Sequence, residues 1–166
     1  MEQFFWTRET VENLIKSLQY IFTEETCCMF TPSLAHAWHE EHDREETVLD
    51  IDKRFDYLPK FKYYDVRDPA DIEGNFRLLV LDPPFFVVPI ETIRDGVDKI
   101  TNKDYSTKIL IAFLKRAEFR LRTAFKNYNL VPTNFPLQYA SIKPNKWSNF
   151  VLYSNIDLPK IKRKKE

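Results

Sequence analysis

Leu78-Leu79-Val80-Leu81-Asp82-Pro83-Pro84-Phe85 is the stretch from which the fold prediction starts. Its first half is a short apolar run, typical of a strand buried in a parallel sheet. The acid and the two prolines that follow predict a rigid corner, because each proline fixes φ and lacks an N–H donor. The neighbouring carbonyl groups remain free to accept hydrogen bonds beside a carboxylate and an aromatic ring. The stretch predicts either a clamp for a flat or cationic group that carries N–H bonds, or a strand that ends in an ordinary turn.

Short apolar runs and amphipathic helices alternate on both sides of this stretch. We predict seven strands, at residues 27–30, 47–51, 61–64, 78–81, 108–113, 136–141 and 149–154. Helices are predicted after Thr7, after Ser33, from Pro89 onward and after Phe113. This alternation predicts one α/β domain with a mostly parallel, helix-covered sheet. The last two strands have no helix between them, which predicts an antiparallel hairpin at one edge.

Composition limits the class of protein. The 166 residues fit one domain, and no apolar run approaches the roughly 20 residues of a membrane helix. The first residues lack the basic and apolar regions of a signal peptide. Cys27 and Cys28, the two cysteines of the chain, are adjacent and are expected to be buried thiols in a reducing compartment. We therefore expect a protein of the cytoplasm, or of the nucleus, without membrane contact.

The net charge of zero hides a division along the chain. Residues 1–106 carry 12 Lys and Arg against 22 Asp and Glu, whereas residues 107–166 carry 13 against 3. The basic portion predicts a surface that meets an anion, most commonly nucleic acid, although the two halves could simply neutralise each other. Residues 160–166 form a basic tail that we expect to be disordered.

Three histidines do not form a metal-binding pattern. His36, His39 and His42 are spaced three apart, whereas the HExxH zinc motif places two histidines four apart on one helix face. The sequence has no other histidine, and its two cysteines lie in a predicted strand. We predict a solvated helix face and no metal site.

Acidic residues lie at the carboxyl ends of three of the predicted strands, namely Asp50, Asp65 and Asp82. Ligands of open α/β sheets bind at the carboxyl ends of the strands, where such acids can accept hydrogen bonds from ribose hydroxyls or a base amine. Each acid alone could equally cap a helix or lie in a solvated turn. Because no glycine precedes Gly74, the ordinary dinucleotide fingerprint is excluded, and the absence of GxxxxGK(S/T) disfavours a P-loop. S-Adenosylmethionine, a nucleoside cofactor without phosphates, fits this pattern.

Several motifs occur in an order that resembles a known family. They are Gln3-Phe4-Phe5-Trp6-Thr7, Thr31-Pro32-Ser33-Leu34, Leu49-Asp50-Ile51-Asp52-Lys53-Arg54-Phe55, Tyr64-Asp65, Asp82-Pro83-Pro84-Phe85 and Asn149-Phe150-Val151-Leu152-Tyr153-Ser154-Asn155. Together they resemble the small eukaryotic methyltransferases first called probable N6-adenine methyltransferases, over residues 3 to 159. One branch of that family methylates a lysine of translation elongation factor 1A. The other is the methyltransferase domain of a zinc-finger enzyme that acts on adenine in large-subunit ribosomal RNA.

The resemblance implies a seven-strand Rossmann-like class I methyltransferase domain over residues 1–159, with S-adenosylmethionine as cofactor. Asp50 would hold the ribose hydroxyls and Asp65 would face the cofactor adenine. Gln3, Phe4 and Trp6 would cover the cofactor or the acceptor, while Thr31 and Ser33 stand where other methyltransferases have glycines. Asp82, Pro83, Pro84 and Phe85 would form the catalytic clamp around the acceptor amine.

The acceptor is predicted to be the N6 amine of an unpaired adenine in RNA (or DNA), which the basic portion of the chain favours. The alternative acceptor is a lysine of a protein such as elongation factor 1A, favoured because the chain has no zinc-binding modules. A non-catalytic, methyltransferase-like binding partner is the second alternative.

Overall fold

The computed structural model describes residues 5–164, which form a seven-stranded sheet with helices on both faces. The strands are β1 (Thr26–Met29), β2 (Thr47–Asp50), β3 (Phe61–Tyr63), β4 (Leu78–Leu81), β5 (Lys108–Leu114), β6 (Val131–Pro132) and β7 (Phe150–Ser154). The α-helices are α1 (Arg8–Leu18), α2 (Pro32–His42), α3 (Ile90–Thr101) and α4 (Glu118–Ala124). None of the described helices has the length and hydropathy needed to cross a bilayer.

The strand order confirms the predicted fold class. The sheet runs β3-β2-β1-β4-β5-β7-β6, with β1 to β5 parallel and β7 antiparallel to both β5 and β6. The chain leaves β1 toward one edge of the sheet and leaves β4 toward the other, so β1 and β4 flank the topological switch point. Met29 and Leu81, the last residues of these two strands, are register partners. Loops leaving the two strands therefore diverge and open a crevice at their carboxyl ends.

Alternate residues of the strands pack against different helices. Cys28 and Val80 contact the core shared with α1 and α2, whereas Cys27 and Leu81 contact the core shared with α3 and α4. All four residues of β4 are fully buried, as an apolar strand covered on both faces requires. Burial raises the pKa of both thiols, so they remain protonated and inert.

The helix boundaries follow local signals. Thr7 caps α1, since its Oγ1 accepts a hydrogen bond from the Thr10 amide at 3.2 Å. Pro89 directly precedes α3, as predicted for a residue with a fixed φ at a helix start. Gly96 lets α3 approach the segment after β3 closely, because a Cβ there would lie 2.7 Å from Val66 Cγ2 and 2.9 Å from the Tyr64 hydroxyl.

The prediction of a strand at residues 136–141 is wrong. The edge strand β6 lies earlier, at Val131–Pro132, and residues 138–140 instead pair with the segment before α1. The Thr7 amide donates to the Gln138 carbonyl and the Ala140 amide to the Phe5 carbonyl, both at 2.9 Å. A segment from the other end of the chain therefore takes the hydrogen bonds that a sheet neighbour would have made.

Residues 160–164 pack against the edge of the sheet, whereas the sequence predicted a disordered tail. Ile161 is fully buried, and the Lys164 amide donates to the Pro132 carbonyl at 2.8 Å. The Lys162 amide donates to Asn134 Oδ1 at 2.9 Å. A single isoleucine in the basic run supplies enough apolar surface to hold the segment against the edge of the sheet. Lys165 and Glu166 lie outside the described residues.

Candidate active site

A cleft opens at the carboxyl edge of the sheet, beside the switch point between β1 and β4. Its volume is about 770 Å³, including the part that is open to solvent. The lining consists of Phe5, Phe30, Asp50 and Ile51, residues 65–67, and residues 82–88. The ends of four strands thus contribute to one concave surface, as expected for the ligand site of an open α/β sheet.

Asp50 ends β2 and forms a fully buried acidic part of the cleft lining. Its Oδ1 accepts a hydrogen bond from the Asp52 amide at 2.8 Å, and its carbonyl accepts one from the Tyr64 amide at 3.0 Å. These bonds fix the end of the strand and the orientation of the carboxylate. Ile51 supplies an apolar surface directly next to it. A carboxylate beside an apolar wall suits the hydroxyls and the flat base of a nucleoside.

Asp65 follows β3 and is paired with Arg67. The Arg67 guanidinium donates to Asp65 Oδ1 at 3.1 Å and to Oδ2 at 3.3 Å, and the Arg67 amide donates to Oδ1 at 3.0 Å. These contacts lower the pKa of Asp65 and keep it ionised. Val66, between the two, faces the cleft and packs against Gly96 of α3. Oδ1 accepts two of these bonds, whereas Oδ2 accepts one and keeps a second lone pair with which it can accept a base amine.

Asp82 directly follows β4 and receives a hydrogen bond from a distant tyrosine. The Tyr139 hydroxyl donates to Asp82 Oδ1 at 2.8 Å, and the Asp82 amide donates to the Met29 carbonyl at 3.2 Å. Burial raises the pKa of Asp82 well above its ordinary value, while the bond from Tyr139 opposes that rise. Burial also raises the pKa of Tyr139, so its hydroxyl stays protonated and remains a donor. Within the described part of the chain no group donates to Asp82 Oδ2, which can therefore accept another hydrogen bond.

The residues after Asp82 form a tight turn into α3. The Pro84 carbonyl accepts hydrogen bonds from the Val87 and Val88 amides, both at 3.1 Å. Within residues 5–164, no N–H or O–H group donates to the Pro83 carbonyl, which is therefore an available acceptor beside Asp82. This arrangement is what the two prolines predict, because they remove the donors that would otherwise occupy the corner.

An aromatic cluster supports the ring of Phe85. Its centroid lies 5.6 Å from that of Phe113 and 5.8 Å from that of Phe150, whose ring is 4.7 Å from Tyr139. The same cluster therefore orients both the ring and the tyrosine that donates to Asp82. Phe86, which is 64 % exposed, continues the apolar surface to the rim of the cleft.

Asp50, Asp65 and the stretch 82–85 are brought together by the structure, whereas Trp6, Thr31 and Ser33 do not line the cleft. Trp6 is buried and pairs through its backbone with Tyr139. Thr31 is also buried, and its Oγ1 donates to the Val80 carbonyl at 3.1 Å, which ties the end of β1 to β4. Ser33 lies in the first turn of α2. Gln3 and Phe4 lie outside the described residues.

Phe5, Phe30 and Tyr139 belong to the site although the sequence patterns did not select them. Phe30 lies at φ 60°, a conformation that bulky residues rarely adopt, directly after β1 where a glycine would be expected. Its position at the end of an apolar run could have placed it at the carboxyl edge of the sheet, where ligands bind. Phe5 lies within the first motif of the family resemblance, from which only Gln3, Phe4 and Trp6 were assigned to the site. Tyr139 had no local signal, because it reaches the site only through the tertiary fold.

A second cluster of ionisable groups lies away from the cleft. Ligand-type atoms of Glu12, Glu41 and His42 lie within 4.8 Å of one another, between α1 and α2. Glu41 is paired with Arg8 at 2.9 Å, and the His42 imidazole lies 3.9 Å from Glu12. These contacts join α1 to α2, so the packing of the two helices explains why the two acids lie close together.

Comparisons with known proteins agree with this geometry. Residues 1–158 match the family described as "Probable N6-adenine methyltransferase". No curated protein sequence matches the chain. Several solved structures have a similar fold. They are the N-methyltransferase NodS from Bradyrhizobium japonicum WM9 (15% identity, 89% of this chain and 93% of that chain, TM-score 0.52), protein 1320 of Thermoplasma acidophilum (17%, 93% and 88%, 0.53), and magnesium protoporphyrin IX methyltransferase from Synechocystis PCC 6803 with bound SAM (12%, 89% and 79%, 0.51).

Proposed function

Since the chain belongs to the family of probable N6-adenine methyltransferases, we propose that it transfers a methyl group from S-adenosylmethionine to the N6 amine of an unpaired adenine in nucleic acid. The observation that carries the proposal is the corner after β4. There a half-buried carboxylate, a carbonyl without a donor among residues 5–164 and a supported aromatic ring lie side by side.

The cleft fits the nucleoside part of the cofactor. Asp50 would accept hydrogen bonds from the ribose hydroxyls, and Asp65 would accept one from the adenine amine. Ile51, Val66 and Phe30 supply apolar surface for the flat base. The chain has no phosphate-binding loop, and a cofactor without phosphates needs none. When bound, S-adenosylmethionine supplies a sulfonium methyl group that an amine nitrogen can displace from sulfur.

The residues of the corner would orient the acceptor amine. Asp82 Oδ2 and the Pro83 carbonyl would accept its two hydrogens, so that the nitrogen lone pair points toward the methyl donor. Phe85 would stack on the adenine ring. The contribution of the protein is then positioning and electrostatic stabilisation, without a covalent intermediate. Because a paired base cannot enter the cleft, the substrate would be a loop, a single strand or a flipped-out nucleotide.

A lysine side chain is the second candidate acceptor. The same oxygens would accept ammonium hydrogens, and Phe85 would offer a cation–π surface. The acidic cleft favours this candidate, because Asp50, Asp65 and Asp82 all lie within it. Lysine must lose a proton before it can attack, however, and neighbouring carboxylates oppose that loss.

A radiolabelled-methyl assay on fractionated cellular RNA and protein tests the proposal. We expect label in RNA, and we expect Asp82→Ala to reduce it by about 100-fold or more, because a preorganised group at the reacting amine is lost. Asp56→Ala is the matched control, since Asp56 is exposed and does not line the cleft. Near-normal turnover by Asp82→Ala would refute the clamp.

Two further outcomes separate the alternatives. Label in protein instead of RNA would identify lysine as the acceptor class. Absence of cofactor binding at about millimolar S-adenosylmethionine in calorimetry, far weaker than a working cofactor requires, would refute both enzymatic candidates and leave the non-catalytic binding partner.

A further inference from the structure

Basic side chains border the part of the cleft that contains Phe85. Strand β5 ends at Leu114, and Lys115 and Arg116 follow at once. Leu114 is the register partner of Phe150, and the turn before Phe150 carries Lys143 and Lys146. Both basic pairs therefore lie at the carboxyl edge of the sheet. They flank Phe113 and Phe150, the two rings that support Phe85.

These four basic residues are exposed and unneutralised. Among residues 5–164, none of the four takes part in an ion pair. The two acids that the structure describes after residue 106 are engaged elsewhere, since Glu118 is paired with Arg122 and Asp157 with Arg163. At the other end of the cleft, by contrast, Asp65 is paired with Arg67. Positive charge is thus concentrated on the acceptor side of the cleft.

Exposed apolar groups lie on the same side. Phe86 is 64 % exposed and Val87 is 49 % exposed, and both line the cleft. Solvent-exposed aromatic rings beside unneutralised lysines and arginines are the combination that binds single-stranded nucleic acid. The cations neutralise phosphates, and the ring stacks on an unpaired base.

We infer that Lys115, Arg116, Lys143, Lys146 and Phe86 form an acceptor rim that binds an unpaired stretch of nucleic acid on either side of the target base. This inference rests on the proposed function and assigns the surface that its substrate uses. Phosphates on the two sides of the target would contact the two basic pairs. The adenine between them would turn toward Asp82.

Fluorescence anisotropy with a labelled, unstructured RNA of about 20 nucleotides tests the rim. The variant Lys115→Glu/Arg116→Glu is compared with Lys60→Glu/Lys103→Glu, which makes the same charge change on exposed residues at the opposite, amino edge of the sheet. We expect the rim variant to weaken binding at least about tenfold and the control less than about threefold. The slope of log K against log salt should fall by roughly 1.4 in the rim variant, about 0.7 for each lost phosphate contact.

Three results of the RNA-binding experiment would overturn the inference. They are equal losses in the two variants, an unchanged salt slope in the rim variant, and absence of RNA binding by the wild-type protein. A DNA oligomer of the same sequence, bound equally well, would support the rim as a phosphate-binding surface that does not discriminate the sugar.

Cofactor calorimetry on the same samples keeps this inference separate from the proposed function. We expect wild-type binding of S-adenosylmethionine by both variants, because neither changes a residue that lines the cleft. Wild-type protein that binds RNA through the rim but does not bind the cofactor would refute the proposed methyl transfer and support the rim. Wild-type protein that binds the cofactor and labels only protein would refute the rim.

Discussion

Asp82 receives its hydrogen bond from Tyr139, a residue 57 positions further along the chain. The bond has two consequences for a carboxylate that, in the proposed function, accepts a hydrogen of the acceptor amine. It fixes Oδ1, so that Oδ2 has one orientation toward the cleft. It also opposes the effect of burial, which raises the pKa of Asp82 and favours the protonated form, whose O–H group would donate toward the amine instead of accepting from it.

Tyr139→Phe is predicted to move the acid limb of the pH–activity profile to higher pH. Activity requires ionised Asp82, so it rises as the pH passes the Asp82 pKa. Loss of the donor raises that pKa further, and the limb follows it upward. Activity near neutral pH should fall roughly tenfold, in line with a hydrogen bond to a charged group. The measurement is the methyl-transfer rate as a function of pH.

The control for this prediction is Tyr128→Phe. Tyr128 is also buried, and its hydroxyl donates to Asp98 at 2.7 Å, outside the cleft. The other charged groups of the cleft, which are Asp50, Asp65 and Arg67, are common to both variants. A uniform loss of activity at every pH in Tyr139→Phe would indicate a purely structural role and contradict the prediction.

At the scale of elements, the junction between β1 and α2 is unusual. Phe30 adopts φ 60° and donates its amide to the Leu49 carbonyl at 3.0 Å, so the chain turns immediately from the strand into the helix. A left-handed conformation costs about 1 kcal/mol for a residue with a Cβ. The ring that replaces the expected glycine lines the cleft and lies 6.4 Å from the ring of Tyr64.

Phe30→Gly is predicted to be more stable than Phe30→Ala by about 1 kcal/mol. Both substitutions remove the ring, and only alanine retains the steric cost of positive φ. Urea denaturation measures the difference. At Thr47, a strand residue without positive φ, the same pair of substitutions should give the opposite order. Greater stability of Phe30→Ala would show that the backbone conformation is not under strain.

At the scale of the whole molecule, both ends of the described chain pack against one side of the sheet. The segment before α1 pairs with residues 138–140, which carry the donor to Asp82. Residues 161–164 pair with the segment that contains β6. The part of the cleft around Asp82 and Phe85 is therefore assembled from segments that are distant in sequence, and its stability depends on these terminal contacts.

Ile161→Ala is predicted to lower the free energy of unfolding by about 2 to 5 kcal/mol, as expected for a fully buried isoleucine. Lys162→Ala, next to it but exposed, should change the stability by less than about 0.5 kcal/mol. Chemical denaturation of both variants tests this. Equal stability of Ile161→Ala and the wild type would restore the earlier prediction of a disordered tail.

Local patterns predicted most of the fold. The apolar run of β4, the stripe of α1 and the proline before α3 each describe the conformation of neighbouring residues, and each element lies within a few residues of its predicted place. The same patterns failed at residues 136–141 and 160–164. In both places the outcome depended on which distant segment supplied hydrogen bonds or apolar surface, and periodicity carries no information on that choice.

The sequence by itself determined the parallel α/β class, the acids at the strand ends and the corner at Asp82-Pro83-Pro84-Phe85, because these follow from local backbone preferences and from burial along each strand. Only the tertiary structure decided that Tyr139 completes the site, that Thr31 and Ser33 stay outside the cleft lining, and that basic residues collect beside Phe85. The physical reason is that these contacts join segments far apart in the chain. Their meeting depends on strand order and loop paths, which are properties of the whole sheet.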